Sequence, residues 1–227
     1  NSHSGAVTSN AGVCEIAKTA CVGGINNAAA VSVAAGATLR FNGAAAYTQE
    51  TIGPLSGAGT VTNVGAAAFN LVVADGGVST TFSGILTDTT NNLNLVKNAG
   101  AGTLTLSGAN SYDGTTTIST GVLNIQNATA LGTTTSGTTV ASGAALEIQN
   151  NIAVGAETLS LAGTGVSSNG ALRNISGANS YAGNITLTAA TEIQSDAGSL
   201  TLSGGVSGAT FGLTFDGAGN TAVSGVI

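Results

Sequence analysis

Three observations predict an all-β chain folded as a parallel β-solenoid of about ten coils. Ser107-Gly-Ala-Asn-Ser-Tyr112 recurs letter for letter at Ser176 to Tyr181, inside the longer near-copies 100–114 and 170–183. Internal repetition marks units too small to bury their own apolar face, which must stack on neighbours. Only 6% of the 227 residues are charged and 4% aromatic, against 42% hydrophobic, with 35 glycines and a single proline, Pro54. An ordinary domain is about a quarter charged, so the surface here must be Ser, Thr, Asn and Gly, and the core thin and filled by small and β-branched side chains. Short runs with period-two alternation, cut by Gly, Asn and Asp, follow one another along almost the whole chain.

Taken in order, the predicted strands are Ala30–Val33, Ala37–Phe41, Gly59–Thr62, Phe69–Val73, Ser79–Phe82, Leu93–Val96 and Thr103–Leu106. They continue with Thr115–Ile118, Val122–Ile125, Thr138–Val140, Ala145–Ile148, Thr158–Leu161 and Ala171–Arg173. Ile185–Leu187, Thr191–Ile193, Ser199–Leu202, Gly212–Phe215 and Thr221–Val223 complete the series. Val13 to Cys21 is the one short candidate for a helix. A propeller should show a longer blade period and its signatures, and a sandwich calls for aromatic anchors and hairpins; the sandwich stays open as the alternative. Stacked coils of roughly 18 to 24 residues, about 4.8 Å apart, would give a rod on the order of 50 Å long.

Two regions are expected: an amino-terminal cap, 1–27, and a solenoid body, 28–227, that stops mid-repeat at Val223-Ser-Gly-Val-Ile227. Cys14 and Cys21 enclose six residues ahead of Gly23-Gly24 and are expected to close a small disulfide loop at the cap. Zinc is disfavoured, since the only histidine is His3.

Charge and composition exclude several function classes. The net charge is −6, and the four basic residues, Lys18, Arg40, Lys97 and Arg173, are scattered, so a phosphate backbone finds no basic patch. No run of 18 apolar residues could form a spanning helix. Glycoside hydrolysis needs two carboxylates facing one cleft; of the ten acids only Glu192 and Asp196 lie close in sequence, without a nearby base. Asp75-Gly-Gly and Asp216-Gly-Ala-Gly-Asn220 read as turns, because the repeated calcium-binding nonapeptide is missing. The chain is therefore expected to be noncatalytic, with no cofactor or metal.

Lys97-Asn-Ala-Gly-Ala-Gly-Thr-Leu-Thr-Leu-Ser-Gly-Ala-Asn-Ser-Tyr112, with Asp113-Gly-Thr-Thr-Thr-Ile-Ser-Thr-Gly-Val-Leu-Asn-Ile125 and Ala130-Leu-Gly132, resembles the autotransporter-associated β-strand repeat of bacterial autotransporter passenger domains. Weaker echoes lie at Val33–Leu39, Val140–Leu146, Ile52–Thr62 and Asp216–Val226. The resemblance implies a right-handed parallel β-helix displayed or released outside a Gram-negative-type cell. Such passengers usually precede a membrane barrel, and no amphipathic barrel strands appear here. The start at Asn1 fits a processed chain or an excised fragment.

The residues expected to matter are those of the repeat, Gly108, Asn110, Tyr112, Gly177, Asn179 and Tyr181, and those of the last coil, Val223, Val226 and Ile227. The tyrosines are expected to close the apolar interior at a turn. An open coil presents unpaired N–H and C=O groups, and a head-to-tail contact between copies propagates into a fibre. Self-association into a filament is the expected partnership, with a glycan-binding adhesin stalk as the alternative and a polysaccharide-acting enzyme behind both.

Overall fold

The computed structural model describes residues 5–17, 25, 27–208 and 210–227. They form a parallel β-solenoid of about nine turns, in which every strand pairing is parallel. Each turn visits three faces. On the first face ten segments stack in one row through Val7, Val31, Leu55, Thr80, Leu104, Leu123, Leu146, Leu172, Ile193 and Phe215. Coil length varies: successive turns lie 24 residues apart at Val7 and Val31, 19 at Leu104 and Leu123, and 26 at Leu146 and Leu172. The expected ten coils become nine because most turns lie at the long end of the range assumed from sequence, and two, from Leu55 to Thr80 and from Leu146 to Leu172, exceed it.

The second face carries Gln49–Ile52, Phe69–Ala74, Leu93–Asn98, Thr116–Ile118, Gly137–Val140, Thr158–Gly163 and Val206–Ser207. Ile185–Ser195 runs across the corner, its first half pairing on the second face and its second half on the first. The third face is made of two separate four-stranded sheets. Val13–Ile16, Thr38–Phe41, Thr60–Asn63 and Ile85–Asp88 form one, and Ala153–Val154, Ala178–Tyr181, Ser199–Leu202 and Asn220–Val223 the other. Between them the chain crosses this side in turns around residues 107–115 and 126–136.

Alternation decides which side chains enter. Val33, Phe82, Leu106, Ile125 and Ile148 pile up inside the first face, and Val73, Ile118, Val140 and Leu161 inside the second, all buried. Three of the eight aromatic rings meet in the amino-terminal part, where Phe41 stacks on Phe69 at 4.6 Å between centroids and Tyr47 tilts against the same ring. Val13–Ile16, inside the one short stretch that offered a helix candidate, is a strand, because its neighbours Thr38–Phe41 offer an in-register ladder and Cys14 and Ile16 pack inward. Val7–Ser9 and Val13–Ile16 already stack on the following coil, so the ladders extend into the region expected to form a cap.

Candidate functional site: repeat turns, polar interior and the last coil

The duplicated hexapeptide does one job twice. Asn110 and Asn179 point inward, and each side-chain Oδ1 accepts a hydrogen bond from a backbone N–H of the preceding coil, Leu86 at 2.9 Å and Ile152 at 2.7 Å. Asn110 Nδ2 donates upward to the Ala130 carbonyl at 2.6 Å, whereas Asn179 Nδ2 turns to Asn174 Oδ1 and the Ser176 carbonyl of its own coil. An asparagine can supply both a donor and an acceptor, so it replaces missing rungs of the backbone ladder where the chain turns. The two copies differ in conformation. Ala178–Tyr181 is a strand, held between Ala153–Val154 and Ser199–Leu202, while 109–112 is not, because the next coil passes it as a turn.

Their glycines differ too. A Cβ on Gly108 would sit 1.8 Å from the Gly84 carbonyl oxygen, so close coil approach requires glycine there; Gly177 has φ +90°, which only glycine adopts without strain. Tyr112 and Tyr181 are completely buried. Tyr112 Oη shares a 2.7 Å hydrogen bond with Thr116 Oγ1, and the Tyr181 hydroxyl has no hydrogen-bond partner.

Between the tyrosines lies a carboxyl group. Glu157, 4% exposed, takes a hydrogen bond from Thr138 Oγ1 at 3.2 Å. Thr138 stacks directly on Thr116, so Tyr112, Thr116, Thr138 and Glu157 make a polar string through the interior. Burial without a cation pushes the Glu157 pKa up to about 7, despite the opposing hydrogen bond from Thr138. Burial, with the nearby Glu157 adding to it, holds both tyrosine phenols well above their usual range.

The described cations are all consumed in ion pairs. Arg40 meets Glu15 at 3.3 Å on the surface, Arg173 bridges Glu147 at 3.0 Å and Asp196 at 2.5 Å, and Lys97 meets Asp75 at 2.8 Å inside the solenoid. Asp196 also accepts from Gln194 Nε2 at 2.6 Å, while Glu192 Oε1 is buried without a hydrogen-bond partner. The acid pair singled out from sequence is thus divided between a charge ladder and an isolated oxygen. Sequence reasoning missed the inward roles of Lys97 and Glu157. The available signal was parity, since Lys97 falls in step with Leu93 and Leu95.

On the outside of the second face an open groove of about 650 Å³ runs over Val72, Ala74 and Val96, with Gln49, Thr51 and Asn98 along it. At the carboxyl-terminal end the last described coil leaves apolar side chains uncovered. Phe211, Phe215, Val226 and Ile227 are 44, 40, 82 and 73% exposed, and Val223 is half-buried against the core. The Val226 carbonyl accepts from the Val206 amide, so this coil closes onto the second face.

The expected Cys14–Cys21 bridge does not appear at Cys14. This residue is a free, half-buried thiol in the inward row Cys14, Leu39, Val61 and Leu86, a position that packs sulfur against the core; Cys21 lies outside the described residues, as does His3. No group of His, Cys, Asp and Glu that could hold a metal, and no helix long and apolar enough to cross a membrane, occurs among the described residues.

Parallel ladders closed by an inward asparagine form the setting in which the best-preserved repeat, with Thr103–Leu106, Thr116–Ile118 and Gly121–Ile125, is folded. Residues 98–125 match the family described as passenger-associated-transport-repeat. No curated protein and no solved structure matches the chain. The matched segment agrees with the resemblance read from the sequence: the protein carries a passenger-type repeat, typical of autotransporter passenger domains, on a β-solenoid. That is the character of an extracellular or cell-surface protein. In this passenger-type solenoid the matched stretch includes Tyr112 and the first of the two inward asparagines.

Proposed function

We propose that this protein is a noncatalytic structural rod outside a Gram-negative-type cell, the subunit of a surface or secreted filament built by stacking the last coil of one copy on the first coil of the next. The observation that supports the reading is the in-register stacking of like coils, in which the same rows of the same faces continue from turn to turn. Among the described residues, Leu213–Asp216 and Asn220–Val223 each have a ladder partner on one side only, and so do Val7–Ser9 and Val13–Ile16 at the opposite end. The ends belong to the same rows of the same faces, so a second copy placed above continues both ladders. Apolar surface and unpaired strand groups favour such addition, and a contact that does not close on itself propagates. Sedimentation and electron microscopy of the purified chain test it: long particles are expected, shortened by Phe215→Asp. A monodisperse monomer at high concentration overturns the filament.

A second reading, an adhesin stalk that binds glycans, is favoured by the groove on the second face, whose neutral amide and hydroxyl groups over an apolar floor suit an uncharged sugar chain. Glycan binding that persists in a polymerisation-deficient variant and is lost in Gln49→Ala would support this reading over the filament.

A further inference from the structure

Unlike the buried Lys97–Asp75 pair, the polar string in the lumen ends on a carboxyl that no described cation neutralises. Buried polar groups survive when they are partnered, and a buried charge survives when it is paired. Glu157 meets neither condition fully. Its described hydrogen-bond partner is one threonine hydroxyl, Thr138, and no described cation pairs with it.

The groups packed around it can be named coil by coil. From below come Thr138 and, through Thr116, the Tyr112 phenol. Asp113, two coils below, has its carboxylate occupied by the hydroxyls of Thr133 and Thr135. From above, Gly183 rests on the Glu157 backbone so closely that a Cβ there would meet it at 1.6 Å, and Tyr181, two residues earlier, brings a buried hydroxyl with no partner. Titratable neighbours are thus two phenols that stay neutral and one engaged carboxylate, and none carries positive charge.

We infer that Glu157 is a pH-sensitive lock on the coils between the two hexapeptide copies: protonated, it sits neutral in the lumen and the coils stay closed; ionised, it places an unpaired charge there and loosens them. The sign follows from linkage. A carboxyl that ionises near 4.5 in the unfolded chain and at about 7 in the fold lets the folded state hold more protons across that window, so stability falls as pH rises through it and levels off above. Most acid-sensitive carboxylates behave in the opposite way. Fully expressed, the difference changes the opening equilibrium of these coils by roughly two to three orders of magnitude.

The experiment is hydrogen exchange on the full chain at about pH 5 and about pH 8, corrected for intrinsic rates. The reporter is the Leu159 amide, which donates to the Asn184 carbonyl at 2.9 Å directly beside Glu157. Its protection is expected to drop at the higher pH in the wild type and to be independent of pH in Glu157→Gln. Parallel pH profiles in the two proteins, or stronger protection at the higher pH in the wild type, overturn the inference. Should Glu157→Gln fail to fold, infrared spectroscopy of the wild type labelled at glutamate decides: a protonated carboxyl band that titrates near neutrality supports the lock, and its absence at about pH 5 to 6 removes it.

Discussion

Lys97 Nζ stands 2.8 Å from Asp75 Oδ2 in the interior, and neither side chain reaches solvent. Lys97 occupies the inward row of the second face between Val73 and Ile118, a place where every other turn puts an aliphatic residue. The ammonium also donates to the Gly100 carbonyl at 3.3 Å and the Thr120 carbonyl at 3.1 Å, while the Gly77 amide holds Asp75 Oδ1 at 2.9 Å. Two successive coils and the turn above are tied by one charged contact. Asp75→Ala is expected to destabilise the protein by about 3–5 kcal/mol by leaving the ammonium buried and unpaired. The double variant Asp75→Ala, Lys97→Met is expected to recover most of that loss, since two apolar groups replace the pair. Chemical denaturation of the three proteins checks both; equal losses in single and double variants would assign the effect to packing.

Asn110→Ala and Asn179→Ala remove the acceptors for the Leu86 and Ile152 amides. Each is expected to cost about 1–3 kcal/mol, the penalty for a buried donor left unsatisfied. Faster exchange confined to the Leu86 amide in the first variant and the Ile152 amide in the second is the specific signature. Ser111→Ala, on the exposed neighbour, is expected to change stability by about 0.5 kcal/mol or less.

Glycines in this chain separate into two kinds that one experiment distinguishes. Gly108→Ala must push the coil off the Gly84 carbonyl, at an expected cost of about 3 kcal/mol. Gly76→Ala meets open space and suffers only from its φ of +61°, at about 1 kcal/mol. Thermal melting of the two variants should rank them in that order, and the reverse order would show that coil spacing is soft at Gly108.

Strands were legible wherever small polar and aliphatic residues alternate, as at Thr103–Leu106 and Ser199–Leu202. Ala178–Tyr181 was not, because Gly-Ala-Asn-Ser reads as turn chemistry, and it becomes a strand only when neighbours above and below supply ladders. Gln49–Ile52 was hidden by Glu50, a charged residue in an inward position, whose carboxylate takes the Tyr47 hydroxyl at 2.7 Å and the Ile25 amide. Lys97 and Glu157 escaped for the same reason. Residue type argues for solvent, while parity and coil stacking, which are properties of the whole turn, place them inside. Phe211 and Phe215 were not singled out from the sequence; among the described residues the strand that carries Phe215, Leu213–Asp216, pairs on one side only, which leaves that ring 40% exposed.

The interruption of the third face has a mechanical meaning. Two faces carry continuous ladders through the middle turns, but around Ser107–Tyr112 and Asn127–Gly132 the third contributes turns and isolated side-chain clamps in place of strand rungs. Under axial load the middle turns have two ladders to share the pull where the flanking turns have three, so the rod is expected to part first between Asp88 and Ala153.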